Sequence, residues 1–440
     1  MKQAHGTVLS VRRVARGLAA AFVALLAPVA SEVACAGDFN YADVFPGDRA
    51  ASMGGAYTAI SNDASGTYYN PAGLVHAPHA SVSVSANAFA WRSQTYRSAF
   101  FGEDVDFESS TFFPSAVASA LKPTSMPGLA LGFSVIVPHA STSSSKQLFH
   151  PQLYEGIDTH IGSDFEVALT TYELGPSVAY ELTPSLSVGA TLYAVYATSS
   201  TRIGFTTQQA LVGPEGVPLV TDFRFQSVED SSLGFVSVLG ALWSPVASVD
   251  LALAIRPPGY QSHDVTSRIT VLALSNDGVL VPNPGLGEAR DSSFDEGQPA
   301  SFTPAIAWRP WDRLTLAAEA SLFLRRSFDV AGVSVARELT WNANVGAEYR
   351  LADEVPVRLG FFTNRTSSPA PKPGDTRYLD HVSDYGFTVG TAYVVSYAEL
   401  SVGLRMSWGE GKSVSLTDVS QVSDVDANET VLFIGSGYQF

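Results

Sequence analysis

The stretch Arg313-Leu314-Thr315-Leu316-Ala317-Ala318-Glu319-Ala320-Ser321-Leu322-Phe323-Leu324-Arg325 puts Leu314, Leu316, Ala318, Ala320, Leu322 and Leu324 on one face and Arg313, Thr315, Glu319, Ser321 and Arg325 on the other. Successive side chains of a strand point to opposite sides, so this segment reads as a two-faced strand. Residues 338–350 repeat the pattern, with Leu339, Trp341, Ala343, Val345, Ala347 and Tyr349 opposing Glu338, Thr340, Asn342, Asn344, Glu348 and Arg350. So do residues 398–408, where Leu400, Val402, Leu404, Met406 and Trp408 oppose Glu399, Ser401 and Arg405. A soluble sandwich alternates in the same way, so the connections must decide.

Tight turns fall at Lys122–Gly128, Thr183–Ser185, Ser244–Val249, Pro310–Arg313, Leu351–Val355 and near Val395–Tyr397, and longer polar connections lie between them, at about 93–110, 139–163, 205–227, 258–300, 331–336, 365–383 and 410–428. Alternating short and long connections are the mark of a transmembrane barrel, whose turns on one side are tight while its loops on the other are free to grow. Fourteen segments can be counted between residues 80 and 440, with 262–274 as a further strand or an ordered loop. Tyr180, Trp243, Trp308, Tyr349 and Tyr397 stand next to the short turns, where an interfacial aromatic girdle belongs. Lipid offers no hydrogen bonds to a backbone, so a sheet in a bilayer must close on itself. The expected fold is therefore all-β, an antiparallel transmembrane barrel of about 14 strands over 80–440. A lumen of that width needs a plug.

The composition agrees. Of the 440 residues 46% are hydrophobic and 15% charged, against roughly 25% charged in soluble domains. No run after residue 36 is long and apolar enough for a spanning helix. With 26 basic against 42 acidic residues and no basic cluster, the chain is unsuited to nucleic acid. Lys2, Arg12, Arg13 and Arg16 precede the apolar run Leu18–Ala30, and Ala34-Cys35-Ala36 supplies small residues for signal peptidase, so residues 1–36 read as an export signal cleaved after Ala36. Acylation of Cys35 would need a large apolar residue where Glu32 stands. Cleavage takes away four basic residues and one acidic residue, leaving 22 against 41, a net charge of −19. It also removes the only cysteine, and with it disulfides and thiolate chemistry.

Residues 37–79 do not alternate and are dense in small residues, as a segment packed in a confined lumen would be. Here the chain resembles the FadL-type family of outer-membrane transporters for long-chain fatty acids and other hydrophobic compounds. The resemblance is carried by Gly54-Gly55-Ala56, Asp63-Ala64-Ser65 and Asn70-Pro71-Ala72-Gly73-Leu74, shortly after the signal. It implies a lumenal hatch at 37–79 and a ligand route from the outer loops to a lumenal pocket and through a gap in the wall into the membrane. It also implies that Asn70, Pro71, Ala72 and Gly73 form a hatch motif near that gap; on the residues alone, Asn-Pro is equally suited to an ordinary turn or helix start. Sideways release keeps an acyl chain out of water, at roughly 0.8 kcal/mol per CH₂, so no energy source is required; the sequence has no phosphate loop or dinucleotide fingerprint. The Phe440 terminal strand resembles the signal read by the barrel insertion machinery.

Arg325, Arg350, Arg358 and Arg405 are expected to face inward, holding a ligand carboxylate or pairing with Glu319, Glu348 and Glu399 along a wet wall. Phe362 and Phe433 are candidates for an acyl pocket or for packing the plug. His76 and His79 flank Pro78 with no carboxylate nearby, and Asp424, Asp426 and Asn428 open like a calcium loop that Glu429 spoils where glycine is needed, so no metal site is assigned. No Gly-x-Ser-x-Gly elbow is present and no cofactor is implied, which points away from an enzyme. The expected protein is a monomeric passive channel in the outer membrane of a Gram-negative bacterium, with hydrophobic small molecules and membrane lipid as its partners. A barrel serving as a protein-binding or secretion-system scaffold through the 258–300 loop is the alternative.

Overall fold

The computed structural model describes residues 39–152, 155–211, 218–274, 280–282, 289–330, 332–375, 377, 380–415 and 417–440; the expected signal and its cleavage point lie outside them. The strands are β1 (Ser81–Phe100), β2 (Glu103–Leu121), β3 (Leu129–Phe149), β4 (Ile157–Thr183), β5 (Leu186–Leu211), β6 (Pro218–Val246), β7 (Val249–Arg256), β8 (Tyr260–Leu274), β9 (Leu280–Pro282) and β10 (Arg290–Glu296). After them come β11 (Ser301–Trp311), β12 (Leu314–Phe323), β13 (Arg326–Val330), β14 (Val333–Arg337), β15 (Thr340–Ala352), β16 (Val355–Asn364), β17 (Asp380–Val395), β18 (Ala398–Val414) and β19 (Val422–Gln439). Fourteen of these, β1–β7, β11, β12 and β15–β19, form an antiparallel wall. It closes where β1 meets β19, Ser81 opposite Gln439, and the Phe440 N–H donates to Ala80 O at 2.9 Å. All fourteen expected segments are present.

The strands reach further than expected. Much of 93–110, 139–163 and 205–227 continues the ladders, because polar residues on both faces still pair when the backbone does. Strand β5 has 26 residues and β6 has 29, lengths of roughly 85 and 95 Å along the strand, where a span takes roughly 9–11 residues. The tall hairpins therefore rise well clear of the bilayer. The segment 262–274 is indeed a strand: β8 pairs with Asp222–Phe235 of β6, above the part of β6 that pairs with β7. Pro257-Pro258-Gly259 separates β7 from β8, since proline donates nothing to a ladder.

The outward face carries half-exposed Leu322, Trp341, Val345, Leu359, Val389, Val402 and Leu432, and the five girdle aromatics are exposed at the turn end. A continuous apolar surface on this scale is unsuited to water and suited to lipid. The inward face is small and polar, and the amino-terminal segment folds into it. Helix α1 (Asp48–Ser52), helix α2 (Gly66–Tyr69) and a 3₁₀ helix at Pro71–His76 are packed there, with Ala50, Met53, Tyr57, Ala72 and Leu74 at most 1% exposed. A second piece enters from the opposite end. The connection expected at 331–336 belongs to the β13–β14 hairpin, whose Phe328, Val330 and Val335 pack on Val228, Val265 and Phe294 of β6, β8 and β10.

Candidate functional site

The hatch is held by the wall through polar contacts that the inward face of each strand supplies. Glu319 on β12 accepts the N–H groups of Tyr57 and Thr58 at 2.9 and 2.8 Å. Asn344 on β15 donates to Gly54 O at 2.6 Å, and Asn364 on β16 accepts from Ala42 N–H at 3.0 Å. Arg256 on β7 donates to Tyr68 O at 3.0 Å, lies 3.6 Å from Glu173 and stacks over the Tyr68 ring. Arg49 of α1 forks onto Glu348 at 2.9 and 3.1 Å. Burial disfavours the charge on Arg49, but the Glu348 carboxylate more than offsets this and keeps the guanidinium ionised.

The sequence-derived residues fall into three groups. Asn70 accepts from Ala72 N–H at 3.1 Å, capping the 3₁₀ helix, and donates to Thr58 O at 3.0 Å and to Ala241 O on β6 at 3.2 Å. Pro71 and Ala72 lie against Gly189 on β5, Asn70 and Pro71 against Gly240 on β6, and Gly73 against Ser61, in each case where a Cβ would collide. Arg358 and Arg405 do face inward. Arg358 bonds Glu348 at 2.8 Å and Glu399 at 3.1 Å, and Arg405 pairs with Glu429 at 3.2 Å and donates to Asp43 O of the hatch. Arg325 and Arg350 do not. Arg325 sits beyond the end of β12, exposed and 3.4 Å from Glu338, and Arg350 keeps inward parity but emerges at the turn end, past the barrel mouth. Phe362 and Phe433 pack on Ala42, Phe45 and Ala51, so they serve the plug. His76 ends the 3₁₀ helix 3.3 Å from Ser187 Oγ, while Asp424 and Asp426 pair with Lys412 and Arg97.

Two features escaped the sequence. The first is a break in the wall. Strands β2 and β3 pair from Ala116↔Ile136 to Leu121↔Leu131 and again at Glu108↔Ser144, with no pairs between residues 109–115 and 137–143. Pro114 and Pro138 stand in these segments, and the ladders to β1 and β4 are irregular at the same level. At the usual tilt this lies roughly 15–30 Å above the turns, a depth at which an unpaired backbone facing lipid is costly. A small cavity opens behind it, lined by Asp43 and Val44 of the hatch with Ser109, Thr111, Phe113 and Ser141. The Asn70-Pro71-Ala72 motif lies elsewhere, against β5 and β6.

The second is a cavity of about 70 Å³ in the lumen, bounded by Tyr41 of the hatch arm, His139, Asp230, His263, Glu296 and Arg337. These residues come from six separate segments, and all but Tyr41 lie in stretches that read as wet strand or polar loop. The only available signal was period-two placement of Gln261, His263 and Val265, which are buried while Ser262 and Asp264 are exposed.

A closed fourteen-stranded barrel with its amino-terminal segment folded into the lumen defines the class: this is the fold of the FadL-type barrels. Among solved structures, a FadL homologue of Pseudomonas aeruginosa superposes with a TM-score of 0.64 at 16% identity, covering 91% of this chain and 100% of that one. The toluene transporter TodX of Pseudomonas putida gives 0.63 at 14% identity, with 90% and 99% covered. The toluene transporter TbuX of Ralstonia pickettii gives 0.55 at 15%, again with 90% and 99% covered. No protein-family model and no curated protein sequence matches the chain.

Proposed function

We propose that the chain is a passive outer-membrane channel for hydrophobic compounds, which bind in the lumen and leave sideways through the β2–β3 break. The observation that carries this reading is the interrupted ladder backed by a lumenal cavity, on a fold shared with proteins described as toluene transporters. A gap in the hydrogen bonding of a membrane wall weakens the barrel where it stands, so its position beside the lumen is best explained by passage. An apolar solute moving through it never enters water, and the partition into lipid drives the flow. The hatch is pinned to strands around the wall, from β1 and β3 to β6, β12 and β15, and closes the straight route.

The test bridges the break. Thr111→Cys and Ser141→Cys introduce the only thiols of the processed chain if residues 1–36 are removed as expected. Uptake of radiolabelled toluene and oleate is measured in cells lacking other such channels. We expect uptake above background with the native and the unbridged double variant, and background uptake once a bifunctional maleimide joins the two thiols; a monofunctional maleimide controls for bulk. Native-level uptake through the bridged barrel would exclude the lateral exit, and no uptake by the native protein would exclude the channel.

A further inference from the structure

The upper lumenal cavity lies between the two pieces that stopper the barrel, with Tyr41 of the hatch arm on one side and Arg337 of the β13–β14 hairpin on the other. Its chemistry is unlike an acyl-chain tunnel. His263 is 7% exposed and its ring is held flat on Phe294, with centroids 4.5 Å apart and planes 9° apart. Its Nδ1 lies 2.9 and 3.2 Å from the two Asp230 carboxylate oxygens. A carboxylate only accepts, so Nδ1 carries the hydrogen, and in the neutral ring Nε2 presents a lone pair. That nitrogen is buried without a hydrogen-bond partner, and Glu296 Oε2 stands 4.0 Å away. Arg337, the cation of the site, donates to Glu296 Oε1 at 2.6 and 3.0 Å.

An orphaned buried acceptor is costly unless something donates to it. The donor must be small: about 70 Å³ is roughly half of the ~150 Å³ at which an enclosed cavity takes up benzene, so a single ring is the upper limit of what can seat there. It is not a carboxylate, which has no hydrogen to give and would meet Asp230 and Glu296 against one engaged guanidinium.

We propose that this cavity binds a small, single-ring apolar compound bearing a hydroxyl group, whose O–H donates to His263 Nε2. The proposal rests on the channel reading and narrows its substrate class. Asp230 is a positioning residue, acting by fixing the tautomer and orientation of the imidazole. A hydroxylated ring is distinguished from its methyl analogue by one buried hydrogen bond, worth about a tenfold preference.

The experiment compares phenol, toluene and benzoate, of similar shape, by calorimetry on the purified full barrel in detergent, with partition into protein-free micelles subtracted. We expect phenol to bind about tenfold more tightly than toluene, and benzoate most weakly. His263→Phe should erase the preference for phenol while leaving toluene binding, and Asp230→Asn should narrow it. In the native protein labelled with ¹⁵N-histidine, the unprotonated Nε2 resonance should move on adding phenol and not on adding toluene, a readout that needs no variant to fold. Equal binding of phenol and toluene, a phenol preference that survives His263→Phe, or an Nε2 resonance indifferent to phenol would overturn the proposal and leave the channel intact. Failure of all three probes to bind the native barrel would likewise overturn the proposal, while the channel reading stands or falls on the uptake of toluene and oleate.

Discussion

Replacing Asn70 by alanine isolates the attachment of the hatch to the wall. The amide satisfies three buried groups: Ala72 N–H, Thr58 O and Ala241 O, at 3.1, 3.0 and 3.2 Å. Alanine leaves the first two without this partner, while Ala241 O, part of the β6 strand, loses a supplementary one. At about 1 kcal/mol for each orphaned group, the loss is about 2–3 kcal/mol. If the hatch opens locally, that shift raises hydrogen exchange over residues 58–77 by roughly 30- to 150-fold while the wall strands stay protected. Exchange mass spectrometry of the barrel in detergent reads this directly. Gly240→Ala should give the same signature with Asn70 left in place, because its Cβ would collide with Asn70 Oδ1 and displace the amide. Protection within threefold of native in both variants would refute the assignment of this motif as the anchor.

Two other substitutions probe the wall. Glu348→Ala strands the guanidinium of Arg49 and removes a partner of Arg358 inside the lumen; removing one side of a buried ion pair costs about 3–5 kcal/mol, so exchange over residues 48–57 should rise steeply, and a change within twofold would count against the network. On the outer face, Val345→Arg should cost about 2–4 kcal/mol in urea titrations of the barrel folded into vesicles, as a mid-bilayer arginine does. Asn344→Ser, one position away but facing the hatch, should show its effect in exchange at Gly54 and leave the titration midpoint little changed.

Reading the sequence worked where one face of a strand is exposed to hydrocarbon. Leu339, Trp341 and Val345 alternate with Asn342 and Asn344 because the solvent differs on their two sides, and that difference is written in residue type. Above the membrane both sides are wet, so β5 and β6 continue through residues that look like loop. Arg350 shows the limit of parity alone, since a residue with inward parity still reaches water where the strand leaves the barrel. The β2–β3 break is a missing set of backbone bonds, which side-chain identity does not encode beyond the hint of Pro114 and Pro138. The Asp230–His263 pair joins positions 33 apart on adjacent strands, a register known only once the ladder is built.

The hatch is synthesised before any strand, yet several partners of its Asp43–Arg49 end come almost last. Arg49 reaches Glu348 across 299 residues, Ser401 bonds Asp48 across 353, and Arg405 grips Asp43 across 362. Contacts so far apart along the chain make assembly slow, and they split the order of events: Asn70–Ala72 can seat once β5 and β6 are in place, while the Asp43–Arg49 end waits for the trailing strands. A chain cut short before β18 would lack Ser401 and Arg405 and so loosen only the Asp43–Asp48 end of the hatch, with the Asn70 end still held by β5 and β6.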